Sequence, residues 1–93
     1  MHKITLESTI ARAEGLLTTS LDDETILMSI DRGAYYGMEH TADRIWELIE
    51  KPRKVADICR QLAEEYSAAP EVYERDVISF LEELLEENLI VVA

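Results

Sequence analysis

Between Thr25 and Ile30 the side chains alternate: Ile26, Met28 and Ile30 fall on one side, Thr25, Leu27 and Ser29 on the other. A two-residue period is that of a β-strand, and the fully apolar side is the one expected to face a core. Leu16 to Leu21 reads as the strand before it, joined across Asp22-Asp23, a polar pair suited to a hairpin turn. Asp31-Arg32-Gly33 is the next turn signal, because Gly33 takes positive φ without steric cost and Asp31 can bond its own backbone two residues on. Ala34 to Met38 then completes a small antiparallel meander, with a free edge unless the N-terminal arm covers it. From Met1 to Glu14 the pattern is weak; Ile4 and Leu6 alternate like a short edge strand, and the segment reads as strand or arm.

The period changes at Thr41. A helix over about Thr41 to Glu50 carries Ala42, Ile45, Trp46, Leu48 and Ile49 and is stopped by Pro52. A second, about Lys54 to Tyr66, has Val55, Ile58, Cys59, Leu62 and Tyr66 at spacings of three and four, the mark of one buried stripe. The third and longest starts at Pro70, with Glu71 near the positive end of the helix dipole. Its apolar face is Tyr73, Val77, Phe80, Leu81, Leu84 and Leu85, and Asn88 can take the left-handed cap conformation after the last turn. Leu89 to Val92 reads as a terminal strand. Strands, three helices and a last strand predict an α+β domain, winged helix-turn-helix-like, with a small three-stranded antiparallel sheet packed on a three-helix bundle.

Composition narrows this further. A chain of 93 residues that is 47% hydrophobic is expected to form one domain, residues 1–93, with a core of its own. MHKITLEST has no apolar run after its charges, and no stretch approaches the roughly 20 apolar residues of a membrane span, so a cytoplasmic protein with no membrane partner is expected. The single cysteine, Cys59, fits a reducing compartment and reads as a buried small hydrophobe rather than a reactive thiol. Twenty acidic against nine basic residues give a formal charge of −11, which repels phosphate backbones and argues against a nucleic-acid partner. Arg60 and Arg75 lie on the second and third helices but form no basic stripe. The acidity serves solubility, or it attracts a basic partner segment.

Candidate chemistry is sparse. His2 lies in the N-terminal segment and His40 just before a helix, where an exposed or capping role is the ordinary one. Glu64-Glu65, Glu82-Glu83 and Glu86-Glu87 are adjacent on helices, so each pair diverges by about 100° and reads as surface charge rather than a shared site. No glycine-rich phosphate loop and no metal-ligand spacing is present, so neither an enzyme nor a cofactor or metal protein is expected. Peptide binding remains. The free edge of Ala34 to Met38 can accept an extended peptide as an added strand, and Val72, Tyr73, Asp76 and Phe80 lie along one flank of the third helix, where a groove wall would stand. The same residues read equally as core, for Tyr73 and Phe80, and as a scattered surface apolar group, for Val72.

The run DRGAYYGMEHTADRIWELI resembles the signature of PqqD-like proteins: a turn glycine, an aromatic pair, an apolar residue, a helix start and Ile-Trp. Val55, Ile58 and Leu62 match that family's next stripe, and Asp76, Val77, Phe80, Leu81 and Leu84 its D-V-x-x-F-L-x-x-L pattern, so the resemblance spans roughly Leu16 to Val91. It implies a non-catalytic recognition element for ribosomally synthesised, post-translationally modified peptides (RiPPs). Such an element binds the leader of a precursor peptide as a strand on the third strand's edge, walled by the third helix. A chain of this size is most similar to the leader-binding protein of lasso-peptide clusters, whose partners are a separate leader peptidase of the cysteine protease type and a cyclase, and whose leaders present a tyrosine and a proline to a hydrophobic pocket. The alternatives are a PqqD-type chaperone for a radical modifying enzyme, or a dimerisation or scaffold module using the same edge. The resemblance places peptide binding on Gly33, Ala34, Tyr35, Tyr36, Gly37 and Met38 of the strand, and on Val72, Tyr73, Asp76, Val77 and Phe80 of the helix. Tyr35 and nearby apolar groups, with Val72, Tyr73, Val77 and Phe80, are expected to receive the leader's apolar side chains and Asp76 to anchor a basic or hydroxyl group, whereas alternation sends Tyr36 and Met38 inward to the core. The sequence departs from the family's pattern at Glu39, Asp43, Lys54 and Asn88, which concern helix ends rather than the groove.

Overall fold

The computed structural model describes residues 4–22 and 24–93. Met1 to Lys3, with His2, and the Asp23 half of the first turn lie outside them. Among the described residues the architecture is α+β, with three helices and two three-stranded antiparallel sheets. One sheet is the expected meander: β2 (Leu16–Leu21), β3 (Glu24–Ser29) and β4 (Ala34–Met38) lie side by side, with Leu27 opposite both Thr18 and Tyr36. The turn before β4 uses Gly33 at φ 63°, as expected, but Asp31 does not organise it. The Gly33 amide donates instead to the Ser29 carbonyl at 2.8 Å, and the Arg32 amide reaches the Ser29 hydroxyl at 3.4 Å.

The second sheet gathers strands distant in the chain. β1 (Thr9–Arg12) runs between β5 (Arg53–Lys54) and β6 (Ile90–Val92). The N-terminal strand is therefore not at Ile4 and Leu6, as alternation suggested. Ile4 is buried in the core and Leu6 packs partly against it, while the carbonyls of Leu6 and Ser8 accept the amides of Ala56 and Val55 at 3.0 Å. Those bonds satisfy orphan donors at the start of α2 (Val55–Tyr66), which lacks a side-chain cap at Lys54. Because this segment is committed to β5, β6 and α2, no strand among the described residues pairs with the open side of β4.

The helices α1 (His40–Leu48), α2 and α3 (Glu71–Glu86) turn their apolar faces to one core. Trp46, Ile49, Ile58, Leu62, Leu81, Leu89 and Ile90 fill it. Arg12 lies 4.5 Å from the Trp46 ring centroid and donates to the Trp46 carbonyl, so β1 is pinned to α1 by cation–π contact and hydrogen bonds together. Ser67 and Asn88 take left-handed φ at 55° and 61° after α2 and α3, the latter as its sequence suggested.

One expectation is reversed in β3. Thr25, Leu27 and Ser29 are the buried, inward residues, and the fully apolar set, Ile26, Met28 and Ile30, points away from the helices. Alternation fixes which residues share a face; it does not fix which face is covered. Here the inner face tolerates two hydroxyls because each has a partner: Thr25 donates to the Asp43 carboxylate on α1, and Ser29 accepts from the Arg32 amide.

Candidate functional site

β4 and α3 form the two sides of a cleft. Pairing with β3 uses one edge of β4, so alternate N–H and C=O groups of Ala34–Met38 point to the open side. Tyr36 and Met38 lie opposite Leu27 and Thr25, so their side chains take the inner face; Met38 is 3% exposed and Tyr36 half-buried. With Gly37 they line a cleft of about 320 Å³ whose far wall is Phe80, Glu83, Leu84 and Glu87, with Leu89 also lining it. A second cavity, of about 280 Å³, continues from Phe80 along α3, past Val77, Asp76 and Tyr73. Its other wall is the first turns of α1, Thr41, Ala42 and Ile45. Phe80 borders both, so the two together make one largely apolar groove.

Each wall is braced. Tyr73 meets the Tyr66 ring of α2 at 6.3 Å between centroids, tilted by 41°. The Tyr36 hydroxyl donates to Glu87 at 3.0 Å, and Arg32 Nη1 donates to the same carboxylate oxygen at 2.8 Å. Arg44 on α1 grips Glu65 on α2 through Nε and Nη2 at 2.6–3.0 Å, and these bonds, with one from Gln61, hold the Glu65 carboxyl down at about 2. Burial, with Glu74 nearby, pushes the Cys59 thiol up, which keeps it protonated in the α2 stripe.

The residues expected at the site do not all meet at the groove. Tyr36, Gly37, Met38, Tyr73, Asp76, Val77 and Phe80 border the groove. Gly33 and Ala34 stand at the turn that begins β4. Tyr35 does not face the groove: it lies opposite Met28, 72% exposed, on the outer face of the sheet, where with Leu17 and Ile26 it borders a separate depression of about 470 Å³. Val72 is 62% exposed and lines neither part of the groove. Sequence reasoning missed the α1 wall, although two small residues, Thr41 and Ala42, one turn before Ile45 are what a cavity at a helix start requires. It also left Glu83 and Glu87 among surface charges, and no local pattern marks Glu87 as the acceptor of Tyr36.

No group of metal-ligating side chains occurs among the described residues, and no helix there is long and apolar enough to cross a membrane. A free strand edge beside an apolar helical groove defines a small domain that can take an extended peptide as an additional strand. Solved structures share this fold. TbiB1 in complex with the TbiA(beta) leader peptide superposes with a TM-score of 0.80 at 29% identity, over 86% of this chain and 93% of that one. The PqqD truncation of Methylobacterium extorquens PqqCD, a functional, stand-alone RiPP recognition element, superposes with a TM-score of 0.80 at 16% identity, over 95% and 94%. Among curated proteins, the PqqA binding protein of Gluconobacter oxydans (strain 621H) is 42% identical over 53 residues, 57% of this chain; the chain spans about half, 55%, of that relative's length. The family described as coenzyme PQQ synthesis protein D (PqqD) matches residues 24–90. The chain belongs to the PqqD family.

Proposed function

We propose that this protein is a RiPP recognition element: a non-catalytic domain that binds the leader of a precursor peptide as a fourth strand on the open edge of β4. The observation that carries the reading is the coincidence of that unpaired edge with a groove whose far wall is α3. Main-chain pairing supplies affinity that any extended segment would share, and the cavity beside Tyr73 and Phe80 supplies choice, by accepting an apolar anchor from every second residue. Asp76 stands at the rim of that cavity, placed to take a hydroxyl or a basic group. The 29% identity to a protein held in complex with a leader peptide supports this occupant.

The finer reading is that the leader belongs to a lasso-type precursor, delivered to a separate leader peptidase of the cysteine protease type and then to a cyclase. A PqqD-type peptide chaperone for a radical modifying enzyme is the second reading, favoured by the 42% identity to a PqqA binding protein. The experiment is titration of the protein with a fluorescein-labelled synthetic leader from the precursor encoded beside its gene, with a scrambled peptide as control. Saturable, sequence-dependent binding at micromolar concentration or tighter is expected. No binding by a protein shown to be folded would remove the reading. Pull-down of a co-expressed peptidase or radical enzyme then separates the two finer versions.

A further inference from the structure

The groove's walls belong to different layers, and two polar clamps join them. At the end of β4, Thr25, the cross-strand neighbour of Met38, donates its hydroxyl to Asp43 on α1. Toward its start, Glu87, the residue that ends α3, receives both Tyr36 of β4 and Arg32 of the preceding turn. The α1 cavity adjoins the first clamp through Thr41 and Ala42; the cleft adjoins the second through Tyr36 and Glu87 themselves. This arrangement also accounts for the reversed face of β3, since Thr25 is spent on one clamp and Ser29 holds the turn that carries Arg32 to the other.

The Arg32–Glu87 clamp contributes little to overall stability. The Arg32 and Glu87 side chains remain 43% and 47% exposed, and exposed ion pairs are weak. Their position gives them another effect. An added strand must lie about 4.8 Å from β4 while its side chains reach α3, so it fits one spacing of the walls. A groove whose walls drift must be ordered at the moment of binding, and that cost is taken from the affinity.

We propose that Glu87 and Asp43 are positioning residues which hold the β2–β4 sheet at a fixed distance from the helices and so pre-form the peptide groove. The inference rests on the leader-binding reading above, and its test separates the two. Spin labels at Asp31→Cys and Glu86→Cys, exposed positions on the turn and on α3, report the wall spacing by pulsed electron resonance in the peptide-free protein; buried Cys59 stays unlabelled. The unsubstituted clamp should give one narrow distance. Glu87→Ala and Thr25→Val should each broaden it and weaken binding of the fluorescein-labelled synthetic leader by about five- to tenfold, and Glu87→Ala, at an exposed pair, should leave the melting temperature little changed. The charge-swapped pair Arg32→Glu with Glu87→Arg restores the ion pair but not the acceptor for Tyr36, so it should narrow the distance and recover part of the affinity, which a general packing role would not do.

Distances that stay narrow in both variants overturn the proposal, as does a broadened distance with unchanged affinity. Lost affinity at a narrow distance overturns it too, because Glu87 would then be touching the peptide itself. If the parent protein binds no leader, the functional reading falls while the distances still decide whether the clamps fix the walls. If Glu87→Ala does not fold, Glu87→Gln, which keeps an acceptor for Tyr36 and loses the ion pair, decides in its place.

Discussion

Tyr73, Phe80 and Tyr35 are three aromatic residues assigned to one site by sequence, and their surroundings separate them. Tyr73 and Phe80 are half-buried, packed against the core and lining the groove as well. Removing either ring should therefore leave a folded protein with a damaged pocket. As aromatic anchors at the centre of an interface, Tyr73→Ala and Phe80→Ala should each cost about 2 kcal/mol of leader binding, roughly thirtyfold in Kd, read by fluorescence anisotropy with circular dichroism as the check on folding. Tyr35→Ala and Val72→Ala should leave Kd within about twofold, since neither side chain borders the groove. Loss of binding on Tyr35→Ala alone would move the site to the outer face of the sheet. Met38 differs again: at 3% exposure it belongs to the core, and Met38→Ala should lower stability by about 2 kcal/mol or more before it touches recognition.

At the level of elements, what was legible in the sequence followed how local the information was. The meander could be read because the Gly33 turn and the period-two runs around it are all the chain needs to pair β3 with β4. The three helices could be read because each buries one stripe with spacing of three and four. β1 and β5 were not legible: Ile10 pairs with Arg53 and Val92, far away in the chain, and a two-residue strand has no period to recognise. The groove was half-legible for the same reason. Its α3 wall is one helix flank, whereas its α1 wall depends on how two helices approach, and Tyr36 meets Glu87 only after the whole chain has folded. If the leader pairs with β4 as a strand, its backbone amides alternate between bonding to that edge and pointing away. Methylating the leader amides one at a time should therefore weaken binding at every second position across about five residues, matched to Ala34–Met38, and little between them. A loss that follows side-chain identity with no such alternation would mean that the peptide docks without joining the sheet.

For the molecule as a whole, twenty carboxylates against nine Lys and Arg side chains make pH the condition to which stability is most exposed. Two effects oppose each other as pH falls from 7. Protonation first relieves the self-repulsion of a net charge of −11, which favours the compact state. Carboxylates held ionised by native partners then lose those partners. Glu65 is the clearest: bonds from Arg44, then Gln61, lower its folded value to about 2 from an ordinary 4.5, so its contribution is complete above about 4.5 and disappears as pH falls from there toward 2. Because the pair joining α1 to α2 faces solvent, that contribution is about 1 kcal/mol at most, well below what the shift alone would give. Urea unfolding should accordingly show stability level or rising between pH 7 and 5 and falling below about 4. Glu65→Gln should lower stability by up to about 1 kcal/mol at pH 7 and should match the parent protein near pH 2, so the two curves converge as acid increases. Curves that stay parallel down to pH 2 would mean that the Arg44–Glu65 bridge contributes through packing rather than charge, leaving the acid limb to the remaining carboxylates.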